Sequence, residues 1–538
     1  MIMKRLVVFF WLLSFGISLT GQQHDFGNVN ELTVKKDTIT YTLTGSITTS
    51  YWLYFKLTEQ KPYAGVSLLL DSIKTGTGTD LKIKIPVEFA PKQNLEYKGL
   101  LTVENQNSVL GVVSISGQGI FSNSYYASTR NKTAEVLKAA LKSKTGQGYV
   151  SLGYKNARIE MFSKIDNWKI NGRGSSVNKV ECIYTGRSII NYPFNTSDLV
   201  KSPWNFNTEH TFPQSKFGSS NPMQSDLHHL FPSDANENGK RGSLPFGIGS
   251  GKYEPRNEQK GSTARAMSYF VLRYQDYGSF YSGQESVLRQ WMKTYPPSQI
   301  DIKRNNDIYA LQRNRNPFVD YPQFLDRISS ISGTAVDEKI TSLQMSRSLR
   351  HQSGDTAKEF GVYRWKHILY NSGNQSITVD AIFSAHDNMN WQASINGGGR
   401  TVIQPNEKHQ FEVAYRTGYG AGYRELGDSI IIKTNAIGYQ RMAFYLSAIV
   451  EGAGSVGEHN EKLELGVYPN PVLNELYLEF NGTMVPRIVQ IIDLQGKTVL
   501  NQTKDFNQMD VSDLRSGEYM VRLTFQDNST RISRFLKQ

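Results

Sequence analysis

Cys182 is the only cysteine in this chain of 538 residues. That count excludes a disulfide scaffold, so buried apolar surface or a bound metal must hold the fold together. Hydrophobic residues make up 38% of the chain and aromatic residues 12%, enough for several cores and against disorder. At roughly 100–200 residues per domain, the length suggests about three to five domains. Beyond the N-terminus no apolar run approaches the ~18 residues of a membrane helix.

The two ends have textures of their own. Residues 1–22 read as a secretory signal peptide. Lys4 and Arg5 supply the positive start, residues 6–19 an apolar stretch, and cleavage is expected near Gly21. No cysteine follows, which argues against a lipid anchor. Residues 463–538 open with Val467-Tyr468-Pro469-Asn470-Pro471-Val472 and continue in strand-like runs at 476–480, 487–492 and 519–525. Turns fall at Asn481-Gly482, Gln495-Gly496 and Ser516-Gly517. The pattern predicts a small antiparallel β-sandwich of roughly seven strands. The YPNP opening, the DLQGK hairpin, the DLRSGEYMVRL stretch and the basic end RFLKQ resemble the C-terminal sorting domain of the type IX secretion system. The resemblance implies export across an outer membrane with the type IX machinery as partner. It also implies no stable membrane insertion, and a protein released or attached at the outer surface.

Residues 25–121 are strand-rich, with runs at 39–44, 51–57, 66–70, 81–89, 99–103 and 110–116 that alternate or carry β-branched residues. The stretch IPVEFAPKQNLEYKGLLTVENQNSVLGVVSISGQG resembles immunoglobulin-like β-sandwich modules, with Gly117 and Gly119 expected to end the last strand. A second such module is expected over 354–451, from NSGNQSITVDAIFS, VIQPNEKHQFEVAYR and DSIIIKTNAIGYQRMAFYLSAIV. Neither shows a catalytic cluster, and spacing or docking is the expected role.

The central segment differs in charge. The chain has a net charge of +12. Residues 123–330 hold 28 basic and 17 acidic residues, while the remainder holds 32 and 31. A local excess points to an anionic partner of that segment, nucleic acid first. Helical periodicity appears at 133–143 and 263–273, and 284–294 predicts a third helix. Between the first two lies a polar stretch carrying Glu209, His210, Asp226, His228, His229, Asn238, Lys240 and Arg241, with three of the nine histidines.

HExxH is absent, and zinc would prefer three or four imidazole or thiolate ligands. A Glu beside a His, with a distant Asn, suits a hard ion such as Mg²⁺, which takes few protein oxygens and keeps its waters. A free imidazole beside it could act as general base, and nearby Arg and Lys match phosphate. Spacing alone fits surface-loop polar residues with no joint role equally well.

The stretch NTEHTFPQSKF…SDLHHLFPSDANENGKRGSLPFG resembles the endonuclease I family of secreted bacterial nucleases. SLGYKNARIEMFSKID before it, and YEPRNEQKGSTARAMSYFVLRY and IKRNNDIYALQRNRNPFVDYP after it, extend the likeness through 123–330. The resemblance implies a multidomain chain: a central α+β nuclease with a ββα-metal (His-Me finger) site, flanked by immunoglobulin-like β-sandwich modules and the β-sandwich sorting domain. By position, His210 would be the general base, and Glu209 and Asn238 the ligands of one Mg²⁺, other divalent cations being alternatives. Arg241, three residues after Asn238 and so on the same face of a helix, would contact the scissile phosphate or its neighbour. Lys260 and Arg265 are candidate substrate contacts or helix-surface charges. Asp226 and His228 would orient the loop and ligands, though His228 fits a satisfied core histidine equally well. Arg304, Arg313 and Arg315 add to a basic face or brace a loop, and Asp320 reads as structural.

This chain departs from the family in lacking its disulfides and in carrying His229 where others have Asn. The lone Cys182 reads as buried. The expected function is a secreted, largely sequence-nonspecific endonuclease acting on DNA, with RNA as a second substrate, leaving 5′-phosphates. The rival is a surface DNA-binding or adhesin protein with an inactive nuclease fold.

Overall fold

The computed structural model describes residues 21–105, 108–168, 177–274, 276–346, 356–358, 362–385, 391–395, 400–416, 424–451, 465–480, 486–493, 497–504, 506–526 and 530–538. Apart from Gly21 and Gln22, the signal segment lies outside the described residues, as do the turns at Asn481-Gly482 and Gln495-Gly496.

The N-terminal strands are β1 (Gly21–Asn30), β2 (Lys35–Ile47), β3 (Trp52–Glu59), β4 (Val66–Leu68), β5 (Ser72–Lys74), β6 (Gly78–Phe89), β7 (Glu96–Glu104) and β8 (Val109–Ile120). They form one sheet ordered β1-β8-β7-β3-β5 and another ordered β2-β6-β4. A single apolar core is built from both. Strict alternation makes β6: Ile83, Ile85, Val87 and Phe89 are buried while Lys82 and Lys84 are exposed. Gly117 and Gly119 fall within the last four residues of β8, which stops at Ile120. A Cβ on Gly119 would collide with the Gln93 carbonyl oxygen, and one on Gly117 with the Phe89 ring. The glycines permit close packing there.

In the central segment the helices are α1 (Ala134–Gly146), α2 (Tyr154–Glu160), α3 (Ala235–Arg241), α4 (Asn257–Arg273), α5 (Glu285–Thr294), α6 (Gln299–Gln312) and α7 (Pro317–Asp320). Two short hairpin pairs accompany them: β9 (Lys179–Glu181) with β10 (Ser188–Ile190), and β11 (Phe206–His210) with β12 (Leu230–Asp234). Their apolar faces share one core that includes Leu137, Phe162, Phe206, Phe212, Phe270 and Phe324. Cys182 is buried, with Sγ 3.7 Å from the Ser233 hydroxyl.

Residues beyond the central segment form two further pairs of sheets. One pair has four and five strands between Leu343 and Glu451, beginning ahead of residue 354 because Leu343–Met345 pairs with Val362–Asn371. The other has three and four strands between Leu465 and Lys537, around a core that includes Val489, Val521 and Phe535. The flanking β-structure is packed rather than strung out. Leu100, Val109 and Val112 of the first module join Ile368 and Tyr370 of the second in one apolar cluster. Against the central segment, the Arg327 guanidinium donates to the Asn94 amide oxygen at 2.7 Å, and Phe121 stacks on Tyr321 at 3.8 Å. Among the described residues no helix is long and apolar enough to cross a membrane.

Candidate active site

The site is built on β11, β12 and α3. The antiparallel ladder pairs Glu209 with Phe231 and His210 with Leu230, and it ends there. β12 runs straight into α3, whose start is capped by Asp234: its carboxylate accepts the Asn236 and Glu237 amides at 2.9 and 3.0 Å. This two-strand, one-helix unit brings Glu209, His210 and Asn238 together. The Asn238 side-chain amide donates to the Thr208 carbonyl at 3.2 Å, tying the helix to the strand beside both other groups.

Glu209 is 1% exposed. One carboxylate oxygen, Oε1, accepts the Tyr184 hydroxyl at 2.6 Å and lies 3.3 Å from the Arg241 guanidinium. Burial raises its pKa, and Arg241 and Tyr184 work against that. The other oxygen, Oε2, has no donor among the described residues and is not sealed from solvent.

His210 points to the loop between the strands. Its Nε2 lies 3.0 Å from the Gln224 carbonyl and 3.0 Å from the Gln214 side-chain nitrogen. The Gln224 carbonyl can only accept and the Gln214 amide nitrogen can only donate, so Nε2 satisfies one of them at a time; the tautomer with hydrogen on Nε2 serves the carbonyl and leaves the Nδ1 lone pair unused. Nδ1 makes no hydrogen bond among the described residues and is not sealed. Burial above all, with His229 and the Arg158 and Arg241 charges beside it, pushes the imidazole pKa down to about 3. The ring is therefore neutral at any ordinary working pH.

Arg241 is not where a phosphate contact would be. It is 1% exposed, and its guanidinium donates to the carbonyls of His210, Thr211 and Gly242 as well as facing Glu209. The expectation is corrected: Arg241 braces the strand end and partly neutralises Glu209. Lys260 is similarly spent on Glu254 and Asn257, and Arg265 on Asp301 and the Tyr295 carbonyl. Both are buried, which corrects their reading as substrate contacts. Arg304 is buried on Asp166, and Arg315 on Asp320, which also accepts from Tyr126. Both brace; Arg313 stays exposed.

Asp226 is fully buried and accepts from Arg273, Tyr269 and Tyr274 at 2.7, 2.8 and 2.9 Å. Burial tends to raise its pKa, but Arg273 and the neighbouring histidines outweigh that and hold it down. His228 lies 3.1 Å from the Asn314 carbonyl, as a satisfied core histidine. His229 reaches the Met223 carbonyl at 2.6 Å and sets its ring 5.4 Å from that of His210. These groups pin the 223–229 turn, and through it the Gln224 carbonyl that holds His210. Sequence reasoning missed Tyr184, Gln214 and Gln224, because a tyrosine hydroxyl, a side-chain amide and a backbone carbonyl on short irregular segments carry no periodic signal.

Among the described residues no three His, Cys, Asp or Glu side chains converge as a metal cage. Glu209 Oε2 and the Asn238 amide oxygen are nonetheless two hard acceptors without donors among the described residues. They fit a divalent cation that leaves most of its coordination to water.

Residues 133–252 and 248–323 match the model of the Endonuclease I family, and residues 466–538 that of a secretion system C-terminal sorting domain. The extracellular ribonuclease of Bacillus subtilis (strain 168) is 29% identical over 252 residues, spanning 41% of this chain and 83% of that protein. An extracellular deoxyribonuclease of Aeromonas hydrophila is 30% identical over 119 residues, 19% of this chain and half of that protein. Of solved structures, a Pseudomonas aeruginosa CupB2 chaperone overlaps 35% of this chain and 99% of its own, at 10% identity and a TM-score of 0.16, too loose to carry an argument.

Proposed function

We propose that this exported nuclease, whose central segment matches the Endonuclease I model and whose C-terminus matches a secretion system sorting domain, hydrolyses DNA without regard to sequence. The observation that carries the chemistry is the trio of unused acceptors on one ββα unit: Glu209 Oε2, His210 Nδ1 and Asn238 Oδ1. The two-strand, one-helix unit with these three groups supports reading the site as a His-Me finger.

His210 Nδ1 takes a proton from a water as the water oxygen bonds to phosphorus and the P–O3′ bond breaks. The departing 3′ oxygen is protonated, leaving a 5′-phosphate. The imidazole, neutral at rest, gains basicity as negative charge gathers on the adjacent phosphate. Tyr184 and Arg241 oppose the burial that raises the Glu209 pKa, and Thr208 holds Asn238, so that the two would bind Mg²⁺ through single oxygens. When bound, the ion supplies charge stabilisation at the phosphate and a polarised water for the leaving oxygen. Such a site grips phosphates, which carry no direct sequence information. Relatives named for both RNA and DNA fit that, and the longer match to the ribonuclease favours RNA as the second reading.

The test is digestion of labelled DNA and RNA by the secreted chain, with Mg²⁺ and with chelator, followed by end analysis. Mg²⁺-dependent DNA products with 5′-phosphates support the proposal. Products only from RNA favour the second reading. A salt-sensitive gel shift without products would favour the inactive DNA-binding protein.

A further inference from the structure

The mechanism above lacks a cation on the phosphate, since Arg241, Lys260 and Arg265 are committed elsewhere. Arg158 is not committed. It lies on α2, half-buried, one turn after Tyr154, so that the two share a face. Its Nε donates to the Thr208 hydroxyl at 2.9 Å, on the residue that precedes Glu209 and whose carbonyl holds Asn238. Its guanidinium carbon lies 5.4 Å from the Tyr154 ring centre, and that ring lies 5.4 Å from the His210 ring. Nη1 and Nη2 have no acceptor among the described residues, no carboxylate pairs with them, and neither is sealed. Arg241, Arg265, Arg273, Arg304, Arg315 and Arg327, by contrast, each donate to acceptors within the chain.

We propose that Arg158 is the catalytic guanidinium: anchored by Nε on Thr208, it presents Nη1 and Nη2 to a non-bridging oxygen of the scissile phosphate beside His210. This rests on the nuclease reading. A planar fork fixed at one nitrogen is arranged to bind two phosphate oxygens, or one twice, at the point where charge builds. The aromatic contact and the Thr208 bond set its direction before substrate arrives.

The experiment compares Arg158→Met, Arg158→Lys, Thr208→Val and His210→Ala with the parent chain on plasmid DNA, measuring kcat, KM, unfolding temperature and the Mg²⁺ concentration for half-maximal rate. Arg158→Met is expected to lose about 100- to 1,000-fold in kcat, the loss seen on removing one transition-state donor. Its KM, unfolding temperature and Mg²⁺ requirement should stay near the parent's. Arg158→Lys should recover only a minor part, and added guanidinium should partly rescue Arg158→Met. Two results would overturn the proposal. One is a kcat for Arg158→Met within threefold of the parent while His210→Ala is dead. The other is an equal loss in Thr208→Val together with a lowered unfolding temperature, which would make Arg158 a brace. A parent chain that cuts nothing would show instead that the nuclease reading itself had failed, and this proposal with it.

Discussion

At the scale of single residues, the proposed site would work by what is left unpaired. Glu209 offers one oxygen because Tyr184 and Arg241 take the other, and His210 offers Nδ1 because Gln224 takes Nε2. Arg241→Met should therefore act first on folding. It strips the counter-charge from a buried carboxylate and the donors from three carbonyls, and a broken buried pair costs about 3–5 kcal/mol. Thermal or urea unfolding should show that loss; a fully stable variant lacking only activity would restore Arg241 as a substrate contact. The buried histidines make a second prediction. His228 and His229 have pKa values pushed down to about 4 by burial, below the ordinary value near 6.5. Above pH 6.5 both are neutral in folded and unfolded chains, and stability is unaffected. Between about 6.5 and 4 only the unfolded chain takes up the protons, so stability must fall as pH falls. Unfolding temperatures measured across that window should drop steadily, and His229→Gln, which keeps a donor for Met223, should lessen the slope.

At the scale of elements, α3 is the short piece on which the geometry depends. It has seven residues and carries Asn238, and Asp234 caps it while pairing with Arg187 at 2.6 Å. Asp234→Ala should cost about 0.5–2 kcal/mol. It should also raise the Mg²⁺ needed for half-maximal rate, while Asp234→Ser restores most of both. An unchanged Mg²⁺ requirement would separate α3 from the metal. Elements were legible in the sequence where burial follows a simple period. The strands of the first module alternate, and the helices at 134–146 and 285–294 were found nearly whole. α6 was missed because its inner face carries Arg304, Asn305 and Gln312, which hides the apolar period, although Ser298 and Asp301 form a capping box. β1 was missed because it runs through His24 and Asp25 and pairs in parallel with the distant β8. Glu209, His210 and Asn238 were readable as a motif. The burial of Arg241 was not, since its acceptors are backbone carbonyls that a sequence does not display.

At the scale of the whole molecule, the first β-module is a packed partner of the central segment. Asn94 accepts from Arg327 and donates to Thr129, and Gln93 and Gln323 each donate to a carbonyl across the boundary. Asn94→Ala leaves a buried guanidinium short of an acceptor and should lower stability by about 1–3 kcal/mol, read as earlier unfolding of the central segment. Independent unfolding of the two units would contradict that view. Export by the type IX route gives the charge excess a consequence. On the proposed function the enzyme meets nucleic acid outside the cell, where phosphate contacts would make binding weaken steeply with salt. The most direct test of the central claim is nicking of supercoiled plasmid by the chain and by His210→Ala, each with Mg²⁺ and with chelator, after matching their unfolding temperatures. The account predicts Mg²⁺-dependent cutting that the folded variant loses. Equal cutting by His210→Ala would contradict it.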